Sequence, residues 1–308
     1  MADAGNWCLI ESDPGVMTEM LKGFGVKGLQ VEELYTLDDS QFAHMRPVHG
    51  LIFLFKMKKD HDSSGVPSPS ADVFFAQQVI NNACATQALV NLVLNLQEEA
   101  SSVELGETLT EFRTFCKEMD PATRGLCLSN SESIRVVHNS FSRQQLFELD
   151  MKGGKEEDNF HFVTFLPVGG KVYELDGLRE APLELGELKD GQDWLDVVRP
   201  AIEERIQKYS EGEIHFNLMA VVSERKTKYI KRLEEITNSG METEDVVAEV
   251  CELQSLIEEE DQKAKRQRIE NIRRVLASEK KLVPLVEEAI KKAEAKNKAK
   301  IEKPKAKA

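Results

Sequence analysis

The segment from Gln78 to Ala88, QVINNACATQA, places a cysteine just ahead of an apolar helical run. Asn82 is the expected N-cap of that helix, which puts Cys84 in its first turn. Backbone amides there lack partners and the helix dipole is positive, so the thiolate, the nucleophilic form, is favoured. Gln78 lies six residues back, on the approach to the helix. Its carboxamide is placed to join the Cys84 backbone N–H in holding an oxyanion. Taken alone, Cys84 reads more readily as a structural core thiol, because free cysteines are among the most buried side chains.

A second constellation lies in two runs, Phe160 to Val168 and Lys171 to Asp176, which read as strands on either side of Gly169-Gly170. That dipeptide is a hairpin signal. If Val168 pairs with Lys171, His161 faces Leu178, and Asp176 is its diagonal neighbour on the same sheet face. Diagonal positions are roughly 7–8 Å apart at the backbone, within reach of a His–Asp hydrogen bond. A carboxylate so placed fixes the imidazole tautomer and stabilises the imidazolium. The plainer alternative is a strand histidine with an unrelated acidic neighbour. His44, His49, His61, His138 and His215 lack an equivalent setting, and His138 reads as a polar-face or packing residue on a helix. Cys8, Cys116, Cys127 and Cys251 read as structural or surface thiols. With no CxxC and no HExxH, neither a metal nor another cofactor is expected.

The elements that must position these residues are short. Trp7 to Ile10 and Leu51 to Phe55 read as strands, and Met57 to Asp72 as a polar surface loop. Ala83 to Leu96 is a helix whose apolar residues Ala88, Leu89, Leu92, Val93 and Leu96 imply burial on several sides. Glu107 to Met119 and Ser131 to Phe141 are expected amphipathic helices. Val197 to Tyr209 is a helix with Pro200 in its first turn, and Glu213 to Ser223 a last strand. The loop Leu149 to Asn159, LDMKGGKEEDN, leads into the His161 strand. Beyond Ser223 the composition becomes rich in Glu and Lys. Arg225 to Thr237 is a charged helix broken at Asn238-Ser239-Gly240, and Val246, Val250, Leu253 and Ile257 form a thin apolar stripe on a second. Three units follow: residues 1–223 as one α/β domain, 224–296 as a helical extension, and 297–308 as a basic tail.

The 308 residues carry a net charge of −14, unevenly spread: +10 over Lys263 to Ala308 and −24 over the rest. An acidic body disfavours direct nucleic-acid binding and suits a basic partner, and the basic end lacks interleaved aromatics for base stacking. The longest purely apolar stretches are strand-sized, so no membrane association is expected. Five cysteines without paired spacing suit reduced intracellular thiols. No secretory signal is visible at the start, and the expected location is cytoplasmic and nuclear.

Taken together, QVINNACATQA, the FHFV segment around His161 and YELDGLREAP from Tyr173 to Pro182 resemble the ubiquitin C-terminal hydrolase family. The likeness runs over roughly residues 5 to 223 and includes ESDPGV (Glu11 to Val16), PVHGLIFLF (Pro47 to Phe55) and LSNSESIRVVHNSFSRQQ (Leu128 to Gln145). RIQKYSEGEIHFNLMAVVSERK and IENIRR resemble the family's proteasome-associated branch. That branch has a longer stretch between the residues matching Arg274 and Leu282. The resemblance implies a papain-like α+β domain with a central antiparallel sheet, then an α-helical C-terminal extension for partner docking and autoregulation. It implies hydrolysis after ubiquitin's C-terminal glycine, with Cys84 as nucleophile, His161 as base, Asp176 as orienting acid and Gln78 as oxyanion donor. It further implies a loop crossing the active site at 149–159. Expected partners are ubiquitin, the proteasome's ubiquitin-receptor subunit and a chromatin-remodelling assembly. The competing readings are a ubiquitin-binding scaffold without turnover and a peptidase of broad specificity.

Overall fold

A computed structural model describes residues 7–56, 65–68, 72–96, 103–141, 160–210, 216–239, 243, 245–266 and 269. The expected loop at 149–159 and the basic tail lie outside these residues. In chain order the elements are α1 (Pro14–Gly23), β1 (Leu29–Glu33), α2 (Asp39–Ala43), β2 (Val48–Lys56), β3 (Val66–Pro67), α3 (Cys84–Val93), α4 (Gly106–Cys116), α5 (Pro121–Asn130), α6 (Glu132–Ser140), β4 (Phe160–Val168), β5 (Lys171–Asp176), β6 (Leu183–Glu187), α7 (Trp194–Ser210), β7 (Phe216–Ser223) and α8 (Arg225–Ser239). One further helix spans 245–266.

The strands form one seven-stranded sheet in the order β1-β7-β2-β4-β5-β6-β3, with every pair antiparallel. Alternation along the strands gives each face its own core. Ile52, Leu54, Phe162, Met219 and Val221 face α1, α3, α4, α5 and α6. Leu51, Phe53, Phe55, Val163, Phe165 and Ala220 face the other way, against Phe42 of α2 and Trp194, Leu195, Val198 and Ile202 of α7. The result is a mixed α/β layering, as the sequence leads one to expect.

Several local expectations are corrected. Trp7 to Ile10 is not a strand. It is a docked segment, held where the Cys8 N–H donates to Asn139 Oδ1 at 3.0 Å and the Cys8 carbonyl meets His138 Nε2 at 2.8 Å. Part of the expected 57–72 loop, Val66–Pro67, is paired with β6 as a short edge strand. α7 begins three residues early, at Trp194, with Asp193 accepting from the Leu195 N–H, so Pro200 lies inside the helix rather than in its first turn. Its ring removes one i→i−4 hydrogen bond.

Candidate active site

α3 starts at Cys84, but Asn82 does not cap it. Asn82 has φ 68°, in the left-handed region that asparagine tolerates better than most residues. Its side chain donates to the Trp7 carbonyl at 3.2 Å. The N-cap is Ala83, which offers no side-chain acceptor. The first amides of α3 are therefore left to the thiol: the N–H groups of Cys84 and Ala85 hydrogen-bond the sulfur, as does the N–H of Phe162. These amides pull the Cys84 pKa down, but desolvation by burial is larger and pushes it up to about 11. The expected stabilisation of the thiolate is present and is outweighed.

The hairpin register is as the sequence indicates. Val168 pairs with Lys171 across Gly169 and Gly170, both at positive φ, and the ladder continues to Val163↔Asp176. It ends there, so His161 is not paired with Leu178. The chain turns at Gly177, where the Arg179 N–H donates to the Asp176 carbonyl at 3.0 Å. His161 and Asp176 share the face that packs on α7, and His161 Nε2 meets Asp176 Oδ1 at 2.7 Å. Both side chains are buried, and Asp176 Oδ1 also accepts from the Leu178 N–H at 3.0 Å. Nε2 is the ring nitrogen that Asp176 holds, and Nδ1 lies across the ring from it. Because β5 stops, the edge of β4 at Phe162 is open to a group arriving from the α3 side. The Cys84 sulfur occupies that opening.

Gln78 is brought to the same place. Its backbone N–H donates to the Gly177 carbonyl at 2.7 Å, fixing it beside the end of β5. Its side-chain Nε2 donates to the Ile80 carbonyl at 3.0 Å. That contact uses one of two amide hydrogens. The segment leading to Gln78 is held by a polar stripe on α3 that the sequence reading passed over. Asn91 both accepts from the Ala76 N–H at 2.8 Å and donates to its carbonyl at 3.0 Å. Asn95 does the same for Phe74, at 2.7 Å each way, and Gln87 donates to the Ala76 carbonyl. The signal was available: Gln87, Asn91 and Asn95 recur every four residues in an otherwise apolar helix. Gly125 of α5 closes the other side, since a Cβ there would lie 1.9 Å from the Gln77 carbonyl oxygen.

Among the described residues, no cluster of His, Cys, Asp or Glu is arranged to hold a metal. His138 is buried, between Thr86 Oγ1 and the Cys8 carbonyl at 2.8 Å each, with its ring edge-on to Trp7. It is the packing histidine the sequence suggests.

A thiol at a helix start beside a buried His–Asp pair on an antiparallel sheet is the arrangement of a cysteine peptidase. The model of the family "ubiquitin carboxyl-terminal hydrolase, family 1" matches residues 7–207, and the chain belongs to that family of cysteine peptidases. Similar proteins include the ubiquitin carboxyl-terminal hydrolase ubh-4 of Caenorhabditis elegans, 53% identical over 311 residues, or 97% of this chain and 96% of the relative. The isozyme L5 of Dictyostelium discoideum is 48% identical over 228 residues, or 74% of this chain and 65% of the relative. The crystal structure of Trichinella spiralis UCH37 bound to ubiquitin vinyl methyl ester superposes with a TM-score of 0.72 at 50% identity, covering 85% of this chain and all of the other.

Proposed function

We propose that the chain is a deubiquitinating hydrolase that cleaves the bond after ubiquitin's C-terminal glycine, with Cys84 as nucleophile, His161 as base, Asp176 as orienting acid and Gln78 as oxyanion donor. The observation that carries this is the placement of the Cys84 sulfur on the amide next to His161, whose far nitrogen is held by Asp176 at 2.7 Å. In attack on the substrate carbonyl the thiol proton of Cys84 passes to His161. The tetrahedral oxyanion is met by the Cys84 N–H and the Gln78 carboxamide. His161 then protonates the leaving amine, and later activates water against the thioester. No metal or organic cofactor takes part.

Ubiquitin as substrate is supported by the UCH37 complex, whose ligand is a ubiquitin derivative. The test is reaction with ubiquitin vinyl methyl ester. The parent forms a one-to-one adduct on Cys84 and Cys84→Ala forms none. Hydrolysis of a ubiquitin–fluorophore amide should fall by roughly 10²–10⁴-fold in His161→Ala and somewhat less in Asp176→Asn. Turnover by Cys84→Ala comparable to the parent would remove the assignment and favour a scaffold role.

The body at 1–223 is proposed as the catalytic unit and 224–296 as a partner-docking and regulatory extension, with the chain cytoplasmic and nuclear. The likeness to ubh-4 spans nearly the whole chain and so includes the extension. The proposed partners of the extension are the proteasome's ubiquitin-receptor subunit and a chromatin-remodelling assembly. Deleting it should abolish co-purification with proteasomes.

A further inference from the structure

We propose that Arg205, acting through Glu174, is a positioning residue that sets the charge balance around Asp176 and hence the pH range over which His161 and Cys84 work. This rests on the catalytic roles assigned above.

Glu174 lies two residues before Asp176 on β5, on the same face, and only 1% of it is exposed. Arg205 reaches it from α7 and forms an ion pair through Nη2 with Glu174 Oε1, itself 5% exposed. The Arg205 guanidinium also stacks over the rings of Phe55 and Phe165, at 5.5 and 5.6 Å. Phe55 in turn stands edge-on to the His161 ring at 5.9 Å. A continuous buried layer thus runs from Arg205 through Phe55 to His161, and from Arg205 through Glu174 to Asp176. Arg179 is a further charge near Asp176, its Nε 3.6 Å from Asp176 Oδ2. Among the described residues, the titratable and charged groups facing this pair include His161 from β4, Arg179 from the turn after β5 and Arg205 from α7, with the Cys84 thiol beyond His161 on α3. β6 contributes Leu183 opposite Glu174.

A buried ion pair is seldom more stable than well-packed apolar residues of similar volume, so stability alone gives little reason for this one. Its electrostatic effect is specific. Two carboxylates two residues apart on a dry face repel, and each disfavours ionisation of the other. Burial is the largest influence and, with Asp176, holds the Glu174 pKa above its ordinary value; Arg205 and Arg179 act against that rise. With Arg205 paired to Glu174, Asp176 meets little net charge from that side. The side chains of Glu174 and Arg205 touch neither thiol nor substrate. They act through Asp176 and the packing of Phe55.

The test is the pH profile of kcat/KM for ubiquitin–fluorophore hydrolysis by full-length protein. Glu174→Gln removes the anion and leaves the guanidinium, which stays charged at every working pH. A cation then lies unbalanced beneath Asp176, so the acid limb should move down by about one pH unit at an effective dielectric near 20. Glu174→Gln combined with Arg205→Met removes both charges and should return the limb to the parent position. A purely structural pair would lower the melting temperature or kcat/KM and leave the limb in place. An unmoved limb in folded Glu174→Gln, or a shift that survives in the double variant, overturns the proposal. If Glu174→Gln is too unstable to assay, Glu174→Arg with Arg205→Glu keeps an ion pair and puts the cation beside Asp176. The limb must again move down, and an unmoved one is equally fatal. Cys84→Ala in the same assay separates the two levels: its retained turnover would remove the catalytic assignment, whereas its inactivity with unmoved limbs removes this inference alone.

Discussion

At the scale of single residues, two histidines in similar burial have opposite kinds of partner. His161 has a carboxylate partner. His138 has only neutral ones, a threonine hydroxyl and a backbone carbonyl, and burial lowers its pKa from 6.5 to about 4. Folding therefore favours its neutral form. The stabilisation is fully present above about pH 6.5 and is lost as pH falls toward about 4, where the folded protein also takes up the proton. Over that window the loss amounts to about 3 kcal/mol. In His138→Gln, which hydrogen-bonds without titrating, urea midpoints measured between pH 7 and 4 should fall less steeply than in the parent. Equal slopes would mean that His138 is not the titrating group. The residue identities at the site were legible because each needs a side-chain type at a helix start or a strand face. The error over Asn82 has a physical cause: asparagine suits both an N-cap and a left-handed turn, and the sequence does not distinguish them.

At the scale of elements, the β4–β5 hairpin was legible to the residue because Gly169 and Gly170 supply two consecutive positive φ values, and a two-residue turn then fixes every pair behind it. The ladder's end was not legible, since it depends on the turn at Gly177 and on what fills the gap. α1 and α5 went unread although both begin with aspartate followed by proline, Asp13-Pro14 and Asp120-Pro121, with each aspartate accepting from the first turn. At ten residues each, they show too little periodicity to stand out. β1 and β6 are five residues long and only partly buried, which hides them for the same reason. The polar stripe of α3 gives a prediction at this scale. Asn91→Ala leaves the Ala76 N–H facing a methyl group in the core, at a cost of about 1–3 kcal/mol. It also loosens the segment that carries Gln78, and small misplacements near reacting atoms are costly to rate. Expected are a lower urea midpoint and a kcat about tenfold down with KM little changed. An unaltered kcat in a destabilised but folded variant would confine the stripe to stability.

At the scale of the whole molecule, the question is what joins the extension to the body. The described contacts are polar: the N–H groups of Glu224 and Arg225 donate to the Gly28 carbonyl and Gln30 Oε1, at 2.8 and 3.1 Å, and ion pairs add to them. Arg225 of α8 meets Glu32 of β1 at 3.5 Å, and Lys263 of the last described helix meets the same glutamate at 3.3 Å. Lys226–Asp261 and Arg232–Glu249, the latter at 2.8 Å, join the two helices to each other. Of the extension's apolar residues, Ile236 and Leu253 are buried, whereas Ile230 and Val247 are exposed. Between α8 and the body lies a cleft of about 800 Å³ lined by Pro47, Val48, Trp194, Lys228, Lys231 and Arg232, so the helix does not close over the sheet end. Partly exposed ion pairs contribute about 0.2–1 kcal/mol each and weaken with salt. The body, by contrast, holds both apolar cores and every residue of the candidate site. Truncation after Lys226 should therefore leave a protein that unfolds in one cooperative transition, with kcat/KM for a ubiquitin–fluorophore amide within about twofold of the full chain. Raising the salt concentration should lower the full chain's melting temperature toward that of the truncated form, because screening weakens the Lys263–Glu32, Lys226–Asp261 and Arg232–Glu249 pairs that truncation removes. An inactive or non-cooperative truncated protein would instead make α8 and the helix after it part of the catalytic fold.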